Sequence, residues 1–540
     1  MCLRNRFDYG KGGVFLAQAT YTVTFPEQGV SAAVTPGTTV LAAEIAAGLK
    51  PDAPCGGRGT CGKCKVRVLV GRENLRMDGK PLPNEELLPA CQMTVEGDVS
   101  IALPQAGENR ILTGGASFAA EIGEETGDFF ALAAFDIGTT SLVGYLLDGR
   151  TGAQLAVDSR LNPQTQFGAD VVARGSYAME HGTEPLTAVI REALEEMLGN
   201  LTKKADIRRE EIRRMSVVGN TCMHHLFLGY SPAPLMVAPY MPKYRLPEIH
   251  QAKDLGMTIA PDGELWMLPC IAGFVGADTI GCLLAADWSH REPLTLMIDI
   301  GTNGEMVLGN RRRSATCSTA AGPAFEGAKI QCGMRGSDGA IDHVFSRPDG
   351  SIGFSVVGGG APRGICGSGL LDAVAVLLEK GVLSGAGRLG ADPAWRSRLG
   401  EIDGKSAYFF SQDVYLAQSD IREVQLAKGA IAAGIQLLCR HLGVEIGDIQ
   451  EVLIAGAFGN YMSPASACAI GLLPKELYDR IIPIGNAAGE GAKLAVLRRE
   501  QYDLARQLMD QVEFIELAMD PDFQDIFVDQ LAFYEDDEDE

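Results

Sequence analysis

One short turn sequence occurs twice in this chain, and its repetition constrains the fold more than any other feature. Asp-Ile-Gly-Thr stands at residues 136–139 and again at residues 299–302. In both copies an apolar run ends in the aspartate and a second apolar run follows the turn, which predicts a tight β-hairpin. Repetition of such a unit at long separation indicates two related subdomains that face each other.

The chemistry of this turn suits the phosphates of a nucleoside triphosphate. Glycine lets the backbone approach phosphate oxygens closely, and threonine hydroxyls and backbone amides can donate to them. The aspartate at the strand end can hold Mg²⁺ through water. One copy alone would be weak support, because every sheet needs turns, but two copies in matching contexts favour a phosphate clamp. The residues assigned to this clamp are Asp136, Gly138, Thr139, Thr140, Asp299, Gly301, Thr302 and Asn303.

Later glycine turns extend the same interpretation. Residues 451–460 form an apolar strand that runs into a glycine-bracketed turn, and residues 483–491 form a turn that opens a helix. Residues 358–369 also lead into a helix, whose amides could bind an anion, although close strand–helix packing explains these glycines almost as well. The order of these turns resembles that of the actin/hexokinase ATPase superfamily, in which the third turn packs on adenosine. The resemblance implies nucleotide contacts from Gly456, Ala457, Phe458, Gly485 and Asn486.

Long amphipathic helices fill much of the remaining chain. Asp420, Gln425 and Lys428 on one of them could either reach the nucleotide or simply be solvated. His224 and His225 are expected to be core or interface side chains, because neighbouring residues on one element point in different directions and cannot easily share a metal. The helices are predicted at residues 184–202, 421–442 and 490–508.

Four cysteines near the N-terminus predict a second chemistry. Cys55, Cys61 and Cys64 lie on one glycine-rich loop, and Cys91 comes from a later segment. Three thiolates on a tight loop with a fourth from elsewhere are what a [2Fe–2S] cluster needs. A structural zinc site is the alternative, but it usually shows two short cysteine pairs. A [2Fe–2S] cluster carries single electrons, so a group that follows it in the electron path must receive or supply one electron at a time.

The segment around these cysteines resembles a β-grasp [2Fe–2S] ferredoxin domain. Strands are predicted at residues 21–25, 30–34, 65–70 and 98–103, with a helix at residues 38–48. Five residues separate the first two cysteines, whereas plant-type ferredoxins have four at this place. That spacing resembles the adrenodoxin-like branch and the N-terminal domains of certain activator proteins.

Charge and hydropathy exclude several classes of partner. The formal net charge is −22, so nucleic acid and anionic membrane surfaces would be repelled. A secretory signal and a membrane span are not expected, and the scattered remaining cysteines fit free thiols in a reducing cytoplasm. The acidic residues 535–540 are expected to be solvated and disordered, with docking to a partner as the alternative.

The whole arrangement resembles the ATP-dependent reductive activators of corrinoid proteins. The resemblance runs from about residue 19 to past residue 491, and it is most specific in the cysteine loop, the doubled turn, and residues 318–327 and 364–371. Related methylamine-pathway activators add a C-terminal [4Fe–4S] cysteine set that this chain does not show.

The resemblance implies a multidomain α/β and α+β protein, with a β-grasp ferredoxin domain, a linker and a two-lobed, RNase H-like ATPase core. The predicted parts are an N-terminal extension (1–18), the ferredoxin-like domain (19–104), the linker (105–128), the first ATPase subdomain (129–292), the second (293–530) and an acidic tail (531–540).

The resemblance also implies a function. One electron would pass from the cluster to a corrinoid protein in its inactive cob(II)alamin state and restore cob(I)alamin for methyl transfer. A potential mismatch of about 100 mV corresponds to roughly 2.3 kcal/mol per electron, which ATP and Mg²⁺ would help to overcome. The implied partners are a corrinoid protein of a methyltransferase system and an electron donor such as a ferredoxin or a reductase, and a homodimer is expected. The catalytic carboxylates would be Asp136, Asp299, Glu305 and Glu326, of which the last two are candidates for positioning the attacking water.

Other functions remain open at this stage. A small-molecule kinase would use the same hairpins but would not need a cluster. An activator of a radical dehydratase normally holds a [4Fe–4S] cluster between two subunits, whereas the four cysteines here are local and of [2Fe–2S] type. An activator of another low-potential enzyme, or a redox-sensing scaffold that binds nucleotide without turnover, would also fit the motifs.

Overall fold

The computed structural model describes most of the chain and divides it into two compact units, Met1–Gln105 and Ala106–Glu540. Cys55 and Cys61, the predicted N-terminal extension, most of the predicted linker and residues 534–540 of the acidic tail lie outside the described residues. Within the described part, none of the helices combines the length and the apolar character that a membrane crossing requires. The described residues are 20–49, 51, 53, 57, 59, 64–85, 87–103, 113–115, 128–390 and 393–533.

The first unit is built around a five-stranded sheet of strand order 2-1-8-3-6. Its elements are β1 (Tyr21–Phe25), β2 (Val30–Val34), α1 (Val40–Ala46), β3 (Lys65–Val70), β4 (Leu75–Met77), β5 (Lys80–Pro81), β6 (Leu88–Pro89), β7 (Met93–Val95) and β8 (Val99–Ala102). Val23 and Phe25 are fully buried and alternate with threonines, as the period of a half-buried strand requires. The Thr39 hydroxyl accepts a hydrogen bond from the Ala42 amide at 3.1 Å and so begins α1. The predicted strands and helix of this unit are confirmed.

The first lobe of the second unit contains the first copy of the repeated hairpin. Its elements are β9 (Ala131–Ile137), β10 (Ser141–Asp148), β11 (Gln154–Leu161), α2 (Val171–His181), α3 (Glu184–Ala205), β12 (Ile212–Gly219), α4 (Thr221–Leu228), α5 (Ala233–Met236), β13 (Glu248–Gln251), β14 (Glu264–Met267) and α6 (Ala277–Ala285).

The second lobe contains the second copy and two small three-stranded sheets. Its elements are β15 (Thr295–Ile300), β16 (Gly304–Gly309), β17 (Ser314–Thr319), β18 (Ala340–Ser346), β19 (Ile352–Val356), β20 (Gly364–Ile365), α7 (Gly367–Glu379), β21 (Leu399–Ile402), β22 (Lys405–Phe409), β23 (Tyr415–Ala417), α8 (Gln418–Leu442), β24 (Glu451–Ala455), α9 (Gly456–Tyr461), α10 (Pro464–Ala469), β25 (Ile481–Gly485), α11 (Ala487–Leu497), α12 (Arg499–Gln511), β26 (Val512–Phe514) and α13 (Phe523–Asp529).

The main sheets of the two lobes share one plan. Each is six-stranded, with the orders 11-10-9-12-14-13 and 25-24-15-16-17-26. In both, three strands pair antiparallel in chain order, and the first of them then pairs parallel with a later strand, β12 or β24. The repeated hairpins are therefore β9–β10 and β15–β16, and the prediction of two related subdomains is confirmed together with the fold class.

Helices α6 and α11 occupy matching places, since each follows the last parallel strand of its lobe, and they cross one another. A Cβ atom added at Gly491 would stand 1.9 Å from the Gly281 carbonyl oxygen. Only glycine permits this approach, because no side-chain carbon fits at that separation. Each lobe thus contributes one helix to a shared layer of the core.

One predicted helix is wrong in its extent. Residues 490–508 belong to two helices, α11 and α12, because Arg498 between them has an extended backbone (φ −137°, ψ 134°). Helix α11 is buried on nearly every side between the lobes, whereas α12 has a charged outer face. A helix buried on most sides and a helix with one exposed face cannot continue along one axis here. The chain therefore turns at Arg498, between α11 and α12.

Candidate functional site

A cavity of about 380 Å³ lies where the repeated hairpins of the two lobes approach each other. It is reached by the turns that follow β9, β15 and β24 and by the start of α11. Most of the residues predicted for a nucleotide site line this cavity. They are Asp136, Gly138, Thr139, Thr140, Asp299, Gly301, Thr302, Asn303, Glu305, Glu326, Gly456, Ala457, Phe458 and Asn486.

The first hairpin turn is held in place by buried polar side chains. Asn162 donates to the Gly138 carbonyl at 2.8 Å, and the fully buried guanidinium of Arg174 donates to the Thr139 carbonyl at 2.5 Å. Asn220 donates to the Thr139 hydroxyl at 2.8 Å while its own side-chain oxygen caps α4. Side chains of the protein therefore donate to both carbonyls of the turn and hold it in place.

Glu326 connects the two hairpins. The Thr140 hydroxyl donates to one of its carboxylate oxygens at 2.5 Å, and the Thr302 hydroxyl donates to the other at 2.6 Å. One threonine belongs to each lobe, so a single carboxylate joins the lobes at the place assigned to phosphates. Hydrogen bonds to a charged acceptor are about twice as strong as neutral ones.

Four partly buried carboxyl groups line the cavity. Burial raises the pKa of Asp136 to about 7, although a hydrogen bond from Asn486 opposes the shift. Burial likewise raises the pKa of Asp278 to about 7 and that of Asp299 to about 6. Burial also raises the pKa of Glu305 well above its ordinary value. The raised pKa values mean that burial disfavours the charged carboxylates. A divalent cation would offset this effect, because it stabilises the charged forms.

The donor set fits Mg²⁺ bound together with a nucleotide. Hard carboxylate oxygens are suitable ligands for this ion, which usually keeps several of its waters. Among the described residues, no three histidine, cysteine or acidic side chains converge as a direct metal site. Asp136 and Asp299 would therefore hold the ion mainly through water and through phosphate oxygens.

The opposite end of the cavity is less polar. Helix α9 begins at Gly456, directly after β24, and brings Phe458 onto the ring of Phe325 with centroids 4.6 Å apart and planes 14° from parallel. Gly367 and Ser368 at the start of α7 line the same end. Flat apolar side chains beside a glycine turn suit a purine ring, whereas the acidic end suits the metal and phosphates.

Some residues of the site had no counterpart in the sequence interpretation, above all Asp278, Asn220 and Arg174. A usable signal existed for Asn220, because Gly-Asn ends an apolar strand and begins a helix at residues 219–220 and again at residues 485–486. Asp278 and Arg174 show no such repetition, and only the packing of α6 and α2 brings them to the hairpins.

Lys428 is the clearest wrong prediction. It is buried on α8, where its ammonium donates to the Ala532 carbonyl, and burial lowers its pKa to about 8. Gln425 also donates to this C-terminal segment, at the Leu531 carbonyl. The nearby Asp420 caps α8 by accepting from the Ala417 amide. The C-terminal segment covers this face of α8, which therefore does not reach the cavity.

Two further expectations concern residues beside the cavity. Gly485 does not line it; its backbone forms a β-bridge with Gly115 instead. His224 and His225 are buried on α4, with Nδ1 of His225 donating to the Thr221 carbonyl at 2.7 Å. They are core histidines, as expected.

The described part of the cysteine loop fits an iron–sulfur cluster. Cys64 and Cys91 are both buried, and the Ala90 amide donates to the Cys64 carbonyl at 2.7 Å. Gly57 has a left-handed backbone (φ +82°), and a Cβ atom there would lie 3.9 Å from Cβ of Cys91. Gly57 of this loop thus lies beside the fourth cysteine, as a shared cluster requires.

Comparison with known protein families separates the chain into three matching parts. Residues 23–96 match the 2Fe-2S iron-sulfur cluster binding domain. Residues 131–291 match the RACo middle region, and residues 293–540 match the C-terminal domain of RACo, the ASKHA domain. The protein is therefore an enzyme with a [2Fe–2S] cluster domain and an ATPase domain that uses ATP and Mg²⁺.

Individual relatives agree with these matches. The corrinoid activation enzyme RamQ of Eubacterium limosum is 40% identical over 418 residues, which cover 74% of this chain and 70% of RamQ. The [Co(II) methylated amine-specific corrinoid protein] reductase of Methanosarcina barkeri is 24% identical over 74% of this chain and 76% of its own. A solved structure described as a reductive activator for corrinoid,iron-sulfur protein is 27% identical and superposes with a TM-score of 0.69, covering 95% of this chain and 98% of that chain. This chain therefore belongs to the family of corrinoid activation enzymes.

Proposed function

We propose that this protein transfers one electron from its [2Fe–2S] cluster to a corrinoid protein in the inactive cob(II)alamin state, in a process coupled to ATP hydrolysis. The observation that carries the proposal is the cavity in which Glu326 joins both phosphate hairpins, within a chain that also matches a [2Fe–2S] cluster domain. The relatives named as corrinoid activators and reductases support the choice of target.

The residues of the cavity suggest how nucleotide acts. Before phosphate arrives, Thr140 and Thr302 donate to Glu326. Phosphate oxygens are competing acceptors for both hydroxyls, so binding releases the carboxylate of Glu326. That carboxylate can then orient a water and accept its proton, which is the role of a general base. The two lobes would be held by phosphate and Mg²⁺ instead of by Glu326.

The cluster supplies single electrons. Coupling requires that the ATP-bound protein and the ATP-free protein differ in affinity for the two cobalt states, since a ligand shifts an equilibrium only by its differential affinity. The roles of Asp136, Asp299 and the hairpin residues in binding Mg²⁺ and phosphates, and of Phe458 against adenine, belong to this proposal.

The experiment follows the absorbance of cob(II)alamin in a purified corrinoid protein, with the cluster kept reduced by a chemical donor. We expect reduction in the presence of MgATP and little reduction without nucleotide. A Cys91→Ser variant should lose reduction in both conditions. A rate in the wild-type protein that ignores nucleotide would contradict the coupling.

The domain boundaries, the electron donor and the assembly are further parts of the proposal. We place the ferredoxin-like domain at residues 19–104, a linker at 105–128, and the ATPase subdomains at 129–292 and 293–530. The division into two compact units between residues 105 and 106 supports the first of these limits. A ferredoxin or a reductase would supply the electron, and the protein would act as a homodimer. Sedimentation velocity tests the dimer. Measuring reduction of the cluster by a ferredoxin and by a reductase, each added alone, tests the electron donor.

A further inference from the structure

The described part of the predicted linker, residues 113–115, packs against the ATPase core. Gly115 forms an antiparallel β-bridge with Gly485, and the Asn486 amide donates to the Gly114 carbonyl at 2.9 Å. The Gly115 amide lies 3.3 Å from a carboxylate oxygen of Glu490, to which it donates. We call residues 113–115 the strap.

The strap is bonded to a residue of the nucleotide cavity. Asn486 caps α11 by accepting from the Gly489 amide at 2.9 Å, and it donates to the Tyr145 hydroxyl at 3.2 Å. Asn486 and Asp136 both line the cavity, and the side-chain amide of Asn486 acts to lower the pKa of Asp136. Asn486 is 8% exposed and lines the cavity. The backbone of Asn486 is thus held by the strap, while its side chain caps α11 beside Asp136 in the cavity.

The contact depends on one glycine and not on its neighbour. A Cβ atom at Gly115 would lie 2.7 Å from the Asn486 carbonyl carbon and oxygen and 2.9 Å from the Ile484 carbonyl oxygen. All of these are backbone atoms, which cannot move aside as a flexible side chain can. A Cβ atom at Gly114 would meet nothing within 4 Å. The two glycines therefore form a matched pair for mutation.

We propose that the strap is a positioning element of the nucleotide site, which fixes Asn486 against Asp136 and so links the segment following the iron–sulfur domain to ATP binding. The inference rests on the proposed role of Asp136 in binding Mg²⁺ and phosphate. Linkage is reciprocal: if a docked strap strengthens ATP binding, bound ATP holds the strap in its docked position by the same factor.

The test compares full-length Gly115→Ala and Gly114→Ala with the wild-type protein. We expect Gly115→Ala to weaken MgATP binding by about tenfold, within the ~5–150-fold range of such couplings. It should raise the KM for ATP more than it lowers kcat. Gly114→Ala should behave as the wild-type protein. Titration calorimetry and steady-state ATP hydrolysis provide these values.

Hydrogen exchange measures an effect of nucleotide on the strap amides that a purely structural role would not produce. MgATP should slow exchange of the strap amides in the wild-type protein and in Gly114→Ala, and have little effect in Gly115→Ala. A Glu490→Ala variant removes the acceptor of the Gly115 amide, and it should weaken MgATP binding in the same direction even if Gly115→Ala does not fold.

The outcomes separate this inference from the proposed function. Equal MgATP affinity in Gly115→Ala and Gly114→Ala, or strap exchange that ignores nucleotide, would overturn the role of the strap while wild-type corrinoid reduction continued. A wild-type protein that fails to bind MgATP or to reduce the corrinoid protein would instead overturn the proposed function.

Discussion

At the scale of single residues, two carboxyl groups of the cavity differ in environment. Glu326 accepts hydrogen bonds from Thr140 and Thr302, as a charged carboxylate does best. Glu305 lies among Asp278 and Asp299, and burial raises its pKa well above the ordinary value. Burial therefore favours the neutral form of Glu305, whereas Glu326 accepts one hydrogen bond from each hairpin.

This difference predicts which of the two carboxylates activates water. Glu326→Gln should lower kcat for ATP hydrolysis by about 100-fold, at the lower end of the ~10²–10⁴-fold contribution of general bases. ATP binding should persist, because the amide keeps the size of the side chain. Glu305→Gln is the matched control, since it imitates the protonated form, and it should lower kcat much less. A larger loss in Glu305→Gln would reverse the assignment.

The pKa values of the cavity carboxyls predict a pH dependence of nucleotide binding. Burial raises the pKa of Asp136 and of Asp278 to about 7, and that of Asp299 to about 6. Mg²⁺ requires the charged forms, so protons must leave when MgATP binds. Affinity should therefore rise as the pH increases from about 6 to about 8.

Calorimetry in two buffers of different ionisation enthalpy measures the number of protons released. Asp278→Asn should release fewer protons than the wild-type protein. Proton uptake on binding, or an affinity that does not change with pH, would contradict the cation site.

At the scale of elements, the crossing of α6 and α11 is a close backbone contact between the lobes. Gly281 and Gly491 meet there, and a Cβ atom on either would touch backbone atoms of the other helix. Overpacking of a core contact costs about 1–3 kcal/mol, and here the strain would act on both lobes at once.

Gly491→Ala should therefore lower the midpoint of thermal unfolding by several degrees and raise the KM for ATP, because the hairpins can no longer approach fully. Gly447→Ala is a suitable control, since a Cβ atom at Gly447 would meet nothing within 4 Å. Differential scanning fluorimetry and ATP titration measure both effects. An unchanged KM in a destabilised variant would show that the crossing serves stability alone.

The elements also show how far sequence patterns lead. The hairpins and the turn before Phe458 were predictable, because strand, glycine turn and strand are local signals. Asp278 was not, because its place in the cavity comes from the packing of α6 against α11 of the other lobe. Lys428 was assigned wrongly because residues 530–533, which cover it, are distant in sequence. The break at Arg498 likewise reflects what surrounds α11 and α12 rather than their own periodicity.

At the scale of the whole molecule, each compact unit has its own buried core. The ATPase unit should therefore work without the cluster. Cys91→Ser should abolish the visible absorption of the [2Fe–2S] centre and corrinoid reduction, while basal ATP hydrolysis remains within about twofold of the wild-type rate because each domain folds on its own core. Cys332→Ser alters a half-buried cysteine of the second lobe. It should retain the visible absorption, corrinoid reduction and ATP hydrolysis. Loss of ATP hydrolysis in Cys91→Ser alone would show that the cluster domain is required for the nucleotide site.

Asn220 and Asn486 cap helices at matching places in the two lobes, yet both lie at the first hairpin turn. Asn220 belongs to one lobe and Asn486 to the other; the first donates to Thr139, and the second lies with Asp136 in the cavity lining. Residues 136–139 are thus in contact with the caps of both lobes, and the second turn also has a contact from the other lobe, because the Cys282 thiol donates to Asp299. Any motion that separates the two lobes must therefore strain contacts at both hairpin turns at once.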